Sequence, residues 1–308
     1  MKPHNKIIFT EELEAFTEYL TIKGYSKSTT CGMALSARQF VCWTEEENIP
    51  SGSIRYADVT AYIQTLKNRG IKQKTQNTYI AGIKKYLDFL TEQGVMTTNP
   101  AAHIKLRGTN QRNLYTILST EELESLYYQY PTDHKKNALQ LAARQNKIIT
   151  GLFVWQGLRT EDVCRLTVAD IKLREGKITI PGGRKTEGRT LTLQSHQIID
   201  LMDFIHETRK EILGLRNAES TQLFVGLAGS PVIYSIMKSV IDQLKKQQPK
   251  LKNAKQIRAS VITHWLKQYN LRKVQHMAGH RYVSSTEKFK INDLEGLQEE
   301  IQRYHPIS

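Results

Sequence analysis

The chain of 308 residues carries 44 Lys and Arg against 30 Asp and Glu, which gives a formal net charge of +14. At about 150 residues per domain this length predicts two domains, and the 39% of hydrophobic residues can fill packed cores. No apolar run approaches the roughly 18 residues of a membrane span, and no apolar core precedes Glu11 as in a secretory signal. Three scattered cysteines indicate neither a disulfide framework nor a zinc cluster. We therefore expect a cytoplasmic protein with no membrane partner.

The excess of positive charge favours a polyanionic partner, because Lys and Arg that neutralise phosphates release condensed counterions. An ordinary basic enzyme is the alternative, and the distribution of charge argues against it. No acidic residue occurs between Asp242 and Glu287, although a solvated surface normally mixes both signs. Ten cations lie in that stretch: Lys245, Lys246, Lys250, Lys252, Lys255, Arg258, Lys267, Arg272, Lys273 and Arg281.

The first hundred residues are predicted to form helices joined by short polar turns, because apolar residues recur at helical spacing between capping residues. Four helices follow in order: one capped by Thr10, one capped by Ser28 or Thr29, one over 56–67, and one from about Lys74 to Gly94. Pro100 closes this unit, and the polar segment that follows is predicted to be a linker. We place a helical domain at 1–107, a linker at 108–118 and a second domain at 119–308.

The second domain begins with a helix capped by Ser119, and further helices are predicted over 137–155 and 161–166. Segments 176–180 and 189–193 then alternate polar and apolar residues with period two, on either side of a Gly-rich basic turn. This pattern predicts a β-hairpin with a long loop that carries Lys185. Everything beyond residue 195 is predicted to be helical. The fold class is therefore mainly α with one small antiparallel sheet.

Two of the residues that could perform chemistry lie in the first half of the second domain. Arg159 follows a glycine break at a helix start, where a rigid backbone would project its guanidinium, with Asp162 one turn later to hold it. The alternative is a surface arginine paired to a nearby acid. Lys185 on the hairpin loop could reach a phosphate oxygen, although an isolated loop lysine is often only solvated.

The other candidates lie further along the chain. Lys255 and Arg258 are three residues apart at the start of an apolar-periodic helix, so they would share one face. His280 follows Gly279 at the end of a helix, where a structural histidine is the alternative. No nucleotide-binding Gly-rich loop, zinc-protease HExxH, serine-hydrolase GxSxG or carboxylate cluster occurs, which argues against those four chemistries and predicts no cofactor and no metal.

The order of these candidates along the chain resembles the active-site series of the tyrosine recombinase (phage integrase) family: Arg159, Lys185, Lys255 with Arg258, and His280. The resemblance consists of a Gly-Leu-Arg box, a hairpin Lys-Thr, a box that usually is His-x-x-Arg, and a Gly-His box. Residues 10–107 resemble the helical core-binding domain of that family, and residues 119–308 resemble its α+β catalytic domain. The resemblance therefore covers nearly the whole chain.

The chain departs from the family pattern at two positions. Lys255 replaces the usual histidine, which keeps a cation but loses an imidazole that titrates near neutrality. Phe289 stands nine residues after His280, where the family has its nucleophilic tyrosine, and differs from it only by the hydroxyl. Tyr282 and Tyr304 are alternatives whose spacing disagrees with the family. We interpret the chain as an engineered Tyr-to-Phe form of a competent recombinase, with a naturally inactive member as the alternative.

The resemblance implies metal-free cleavage and rejoining of DNA through a 3′-phosphotyrosyl link, which conserves bond energy. Arg159 and Arg258 would bind the non-bridging oxygens, Lys185 would protonate the leaving 5′ oxygen, and His280 with Lys255 would position the phosphate. It also implies a mobile-element, phage or inversion role. A non-catalytic architectural DNA-binding protein and a type IB topoisomerase remain as rival interpretations.

The expected partners are double-stranded DNA and further copies of the chain. Side chains at two helix starts in the first domain are predicted to contact phosphates: Lys27, Ser28, Thr29, Lys74, Thr75 and Asn77. Ordinary capping with solvated lysines is the alternative. In the tail, Leu294, Leu297 and Ile301 repeat at helical spacing, and in the family such tails dock on a neighbouring protomer of a synaptic tetramer. Packing of the tail on its own domain is the alternative.

Overall fold

The computed structural model describes residues 3–106, 115–183, 186–215, 219–226 and 233–290. The chain divides into two compact units, Met1–Arg112 and Asn113–Ser308. This division lies within the predicted linker at 108–118, of which only residues 115–118 are described.

The first unit is built from four helices, which bury aromatic side chains between them. These are α1 (Pro3–Ile22), α2 (Lys27–Glu46), α3 (Tyr56–Asn68) and α4 (Gln73–Glu92). Phe16, Phe40, Tyr62 and Tyr86 are fully buried, and Phe40 meets Tyr62 edge to face at a centroid distance of 5.1 Å. Helices α2 and α4 pack so closely that a Cβ added at Gly82 would lie 2.7 Å from Ser36 Cβ.

Two of the predicted helix starts in this unit are wrong. Helix α1 begins at Pro3, so Thr10 lies inside it and is not a cap. Helix α2 is capped by Ser26, whose extended backbone lets its Oγ accept a hydrogen bond from the Thr29 backbone N–H at 3.3 Å. Ser28 and Thr29 therefore belong to the first turn of that helix.

The second unit surrounds a central helix with shorter helices and a small sheet. Its helices are α5 (Thr120–Tyr128), α6 (Asn137–Val154), α7 (Thr160–Arg165), α8 (Ser195–Asp203), α9 (Arg209–Gly214), α10 (Ile233–Gln247), α11 (Ala254–Gln268), α12 (Leu271–Ala278) and α13 (Ser284–Glu287). The central helix α6 is buried along most of its length, from Ala143 to Val154. The predicted cap Ser119 is confirmed, because its Oγ accepts from the Glu122 N–H at 3.1 Å and Glu122 Oε2 accepts from the Ser119 N–H at 2.9 Å.

The sheet has three antiparallel strands in the order β1 (Ile171–Lys172), β2 (Lys177–Ile180) and β3 (Arg189–Thr192). Ile178 pairs with Leu191 in the predicted hairpin, and both side chains face the core. The mainly α fold with one small antiparallel sheet is therefore confirmed. Within the described residues, no helix has the length and apolarity that crossing a membrane needs.

The prediction that everything beyond residue 195 is helical is wrong for 219–226. This segment has no helix and bends at 223–224, and Gln222 forms an isolated antiparallel bridge with Thr167. Leu223 and Phe224 are buried there, and the Leu223 N–H donates to Leu166 O at 2.9 Å. A segment with buried side chains and a backbone that bonds to a distant loop satisfies its polar groups without a helix.

Candidate active site

Arg159 stands at the start of α7, directly after a turn that only glycine accommodates well. Gly157 has φ of +54°, and a Cβ there would lie 3.1 Å from Val261 Cγ1. Leu158 is buried and anchors the turn, and the Arg159 backbone N–H donates to Asp162 Oδ2 at 3.4 Å. The half-buried side chain of Arg159 is therefore projected from a backbone that is fixed on both sides.

Arg258 lies inside the unit, on the first half of α11, and joins this turn to the end of α12. Its Nη1 donates to Gly157 O, and its Nη2 donates to Ala278 O at 2.6 Å. Burial and the charges of Arg159 and Arg189 lower the pKa of Arg258 to about 9, which keeps it protonated at neutral pH. The guanidinium thus fixes the turn at Gly157 against helix α11, about 100 residues further along the chain.

His280 is brought beside Arg258 by the left-handed Gly279, whose φ is +62°. Arg258 Nη2 lies 3.1 Å from His280 Nε2, and His280 Nδ1 lies 2.9 Å from Thr286 Oγ1. Because a guanidinium can only donate, Nε2 is the acceptor and the neutral ring carries its proton on Nδ1. Burial, followed by the charges of Arg258, Arg159 and Arg189, lowers the pKa of His280 to about 3.

Phe289 faces this histidine. Its ring is nearly parallel to that of His280, at a centroid distance of 5.8 Å and an angle of 12°. Phe289 also packs against the small apolar cluster of Ile262, Val274 and Ala278. Tyr282, the nearer alternative nucleophile, is 67% exposed, and Tyr304 lies outside the described residues.

The hairpin loop also reaches the site. Thr186 forms an isolated antiparallel bridge with His280, and the Glu187 N–H donates to Gly279 O at 3.2 Å. Gly183 and Thr186 bridge to each other across the loop tip, which contains residues 184–185. Lys185 itself lies outside the described residues, so its predicted contact with a phosphate stays a prediction.

Asp162 does not play the part expected of it. We expected its carboxylate to bind the Arg159 guanidinium. The carboxylate is buried and instead binds Arg165 Nη2 at 3.1 Å and Arg189 Nη2 at 3.0 Å. Its contact with Arg159 is to the backbone N–H. Burial raises the pKa of this carboxyl, but the charge and hydrogen bond of Arg189, followed by the charge of Arg258, outweigh burial and lower it overall. The carboxylate is therefore ionised, and it positions Arg159 through the backbone.

Sequence reasoning missed Arg189 altogether. A usable signal was present, because the period-two alternation of β3 places Arg189 on the same inward face as Leu191. A charged residue at an inward strand position requires a buried partner, which here is Asp162.

The remaining predicted residues are on the surface of their helices. Lys255 is exposed in the first turn of α11, one turn before the buried Arg258. The predicted phosphate contacts of the first unit are exposed or half-buried at the starts of α2 and α4: Lys27, Ser28, Thr29, Lys74, Thr75 and Asn77. Their contacts with DNA stay predictions.

The sequence matches known proteins over both units. A profile of the phage integrase family matches residues 116–293, and a profile of the N-terminal SAM-like domain of phage integrases matches residues 13–94. The tyrosine recombinase XerD of Oceanobacillus iheyensis is 26% identical over 300 residues, which cover 96% of this chain and 98% of the relative.

Two solved structures share the fold. One is the XerH site-specific recombinase bound to palindromic difH substrate in a post-cleavage complex, with a TM-score of 0.69, 19% identity, and coverage of 88% of this chain and 78% of that one. The other is the Tn1549 transposon integrase in a Tyr-to-Phe form with transposon right end DNA, with a TM-score of 0.61, 16% identity, and coverage of 95% and 99%.

The electrostatics of the site predict that His280 stays neutral in the free protein throughout the physiological range. Its folded-state pKa lies below the value of about 6.5 in the unfolded chain, so only the unfolded state gains a proton as the pH falls. The free energy of unfolding should therefore decrease as the pH falls from about 6.5 towards 3, and His280→Gln should remove part of this decrease. An NMR titration of the ring carbons, assigned with that variant, measures the pKa directly; a midpoint near 6.5 would contradict the prediction.

Proposed function

Because the chain belongs to the phage integrase family, we propose that it is a site-specific DNA recombinase whose strand cleavage proceeds by metal-free attack of a tyrosine at position 289. One observation carries the proposal: four groups that are spread over 130 residues of sequence meet at His280 in the second unit. Arg258 contacts its ring, the ring at 289 stacks on it, and the charge of Arg159 acts on it. Family membership supports a DNA strand-exchange enzyme, and the roles of individual residues are part of the proposal.

The two arginines suit the charge that develops on a phosphorus under attack. The guanidinium of Arg258 offers five N–H donors, of which some bind the carbonyls of Gly157 and Ala278 and the ring of His280. The others are held rigidly and can meet a non-bridging phosphate oxygen. Arg159 would bind the second such oxygen from the start of α7, so a phosphate would lie between two fixed guanidinium groups.

Proton transfer is assigned to the hairpin loop and to His280. We place Lys185 near the leaving 5′ oxygen, because its neighbour Thr186 bridges to His280. His280 would exchange its Arg258 contact for a hydrogen bond at the attacking or non-bridging oxygen. The singly charged phosphodiester, and more strongly the doubly charged phosphorane, would raise the pKa of His280, since opposite charge favours the protonated ring. Lys255, one turn before Arg258 and exposed, would supply a further cation on the DNA side.

Phe289 would make this chain competent for binding and incompetent for cleavage. The ring is stacked on His280 where a tyrosine ring would also fit, so the change removes the nucleophile and little else. The Tn1549 integrase solved with DNA in a Tyr-to-Phe form supports an engineered substitution here. The second candidate function, a natural architectural DNA-binding protein, is supported by the same missing hydroxyl.

The variant Phe289→Tyr should restore cleavage, because a tyrosine ring at this position would lie beside His280, which Arg258 contacts. The protein is incubated with a pool of nicked duplexes with a randomised core, and adducts that resist SDS are isolated and sequenced. We expect adducts of one sequence class with Phe289→Tyr and none with the original chain.

As a matched control, adding Tyr282→Phe to Phe289→Tyr should leave the yield unchanged, since Tyr282 is exposed and at the wrong spacing. DNA binding without any adduct would favour the architectural protein. Relaxation of supercoils without sequence preference would instead favour a type IB topoisomerase.

DNA binding is proposed to involve the first unit as well as the second. The starts of α2 and α4 present backbone N–H groups and the positive ends of helix dipoles, which favour phosphates. Lys27 and Lys74 add exposed charge at these starts. Such contacts position the duplex and carry no sequence information by themselves.

If about six phosphates are neutralised, the logarithm of the association constant should fall against the logarithm of salt concentration with a slope of roughly −5. Lys27→Gln with Lys74→Gln should make the slope less steep by about 2, because each lysine neutralises one phosphate. Lys23→Gln is the matched control, since Lys23 already pairs with Glu92 at 3.2 Å. Fluorescence anisotropy with a labelled duplex measures all three slopes, and a slope near zero in the original chain would refute this mode of binding.

Assembly of several copies on DNA is proposed to use the C-terminal tail. The second unit has an open pocket of about 260 Å³ beside α11 with a mixed lining, in which polar side chains alternate with the apolar Val154, Trp155, Val261, Trp265 and Met277. Leu294, Leu297 and Ile301 lie outside the described residues, and their spacing predicts a short helix. A helix of this length would be marginal alone and would need a partner surface. We propose that the tail of one copy occupies this pocket on the next, to form a tetramer.

Deleting residues 293–308 should abolish assembly beyond single bound copies without reducing the affinity of one copy for a half-site. Sedimentation velocity on duplex DNA measures the assembled species. Replacing Leu294, Leu297 and Ile301 by Ala keeps the length and charge of the tail and should have the same effect. Unchanged assembly in both variants would show that the tail packs on its own unit.

The biological role within this proposal is strand exchange for a mobile element, by integration, excision or inversion. Acting on a genome requires a cytoplasmic location, which is therefore part of the proposal.

A further inference from the structure

Arg189 is a buried arginine that touches three of the segments that build the site. It begins β3, and its side chain is fully buried. Its Nε donates to Met277 O at 2.8 Å, and its Nη2 donates to Asp162 Oδ2 at 3.0 Å. One planar guanidinium therefore connects the hairpin, the start of α7 and the last turn of α12.

At the start of α7, Arg189 acts on Arg159 through a carboxylate. Asp162 accepts from the Arg159 backbone N–H with the same oxygen, Oδ2, that binds Arg189. The position of the Arg159 backbone thus depends on an oxygen that Arg189 holds in place. Asp162 keeps a second partner in Arg165, so the carboxylate is not left without a counter-charge when Arg189 is replaced.

At the end of α12, Arg189 explains why the residue before His280 is glycine. A Cβ at Gly279 would overlap Arg189 Nη1 and would lie 2.9 Å from its Cζ and 3.1 Å from its Cδ. The positive φ at Gly279 also disfavours any other residue. The guanidinium therefore packs closely against this turn, and the turn sets the direction in which His280 leaves the helix.

We infer that Arg189 is a positioning residue of the strand-cleavage site, which fixes the Gly279–His280 turn against the Arg159 turn. Among the described residues Arg189 contacts none of the proposed reacting groups, and its effect passes through Asp162, Met277 and Gly279. The catalytic meaning of this role depends on the proposed function, whereas the effect on the geometry of His280 does not.

The positive charge of Arg189 also affects the pKa of His280, separately from the contacts that position the turn. The groups that face His280 are Arg258 from α11, Arg159 from the start of α7, Thr286 from α13 and the ring of Phe289, with Arg189 behind Gly279. Arg189 is one of three arginines whose charges lower the pKa of His280. Substitutions that keep or remove this charge therefore separate charge from position.

The test compares Arg189→Lys and Arg189→Met, each made in the original chain and in the Phe289→Tyr background. The matched control is Arg209→Met, because Arg209 is a buried arginine of the same unit that binds only main-chain carbonyls of Ser220, Gln222 and Leu223 among its described contacts. Three quantities are measured: the NMR signals and titration of His280, the dissociation constant for duplex DNA, and the rate of adduct formation on a duplex selected with Phe289→Tyr.

We expect both Arg189 variants to shift the amide signals of Gly279 and His280 and to slow adduct formation about 100-fold, the cost of a displacement near 1 Å. DNA affinity should stay within about threefold, because Arg189 is buried and binds no phosphate. Arg189→Met should raise the pKa of His280 and Arg189→Lys should not, since only the first removes a positive charge. Arg209→Met should lower the unfolding midpoint without any of these changes.

Unchanged signals of His280 in both Arg189 variants would overturn the inference, as would an adduct rate per folded molecule equal to that of Arg209→Met. The His280 signals need no DNA, so they decide the positioning role even when Phe289→Tyr forms no adduct. That absence of adducts would count against the proposed function alone.

Discussion

The second unit depends on buried guanidinium groups that bind backbone carbonyls and one carboxylate. Arg258 holds the carbonyls of Gly157 and Ala278, and Arg189 holds that of Met277 together with Asp162. These bonds join segments that the chain separates by up to about 100 residues, so the site exists only in the folded unit. They also concentrate positive charge where little water can screen it. Asp162 balances only part of this charge, and an anionic ligand is the natural complement of such a site.

The same concentration of charge determines the chemistry of His280. An isolated histidine titrates near neutrality, but here burial and three arginines keep the ring neutral and leave its Nε2 as an acceptor. The ring is therefore ready to change its protonation when an anion enters, since the anion reverses the sign of the local field. Positive charge that is only partly balanced in the free site stabilises the negative charge that develops on a bound anion during the reaction.

Features that depend on local sequence could be predicted. The cap at Ser119, the alternation of the hairpin and the glycine break before Arg159 each depend on neighbouring residues, and each is present. Features that depend on distant partners could not. The segment around Gln222 is not helical because its backbone bonds to Val168 and Leu166. Arg189 gains its role from Asp162 and Met277, which lie 27 and 88 residues away. The early start of α1 shows that a good capping residue such as Thr10 does not begin a helix when the preceding residues can also be helical.

The bond between His280 Nδ1 and Thr286 Oγ1 links the histidine to the segment that leads to position 289, in addition to the stacking of the two rings. Thr286 belongs to α13, and the Phe289 N–H donates to Thr286 O at 3.0 Å, so the residue at 289 and the acceptor for the histidine proton move as one body. If α13 shifts, the Nδ1 proton loses its acceptor, and the ring is then free to exchange tautomers or to rotate. The tautomeric state of the imidazole thus reports whether α13, the helix that precedes position 289, is in place, and it links placement of the nucleophile to the protonation of the histidine.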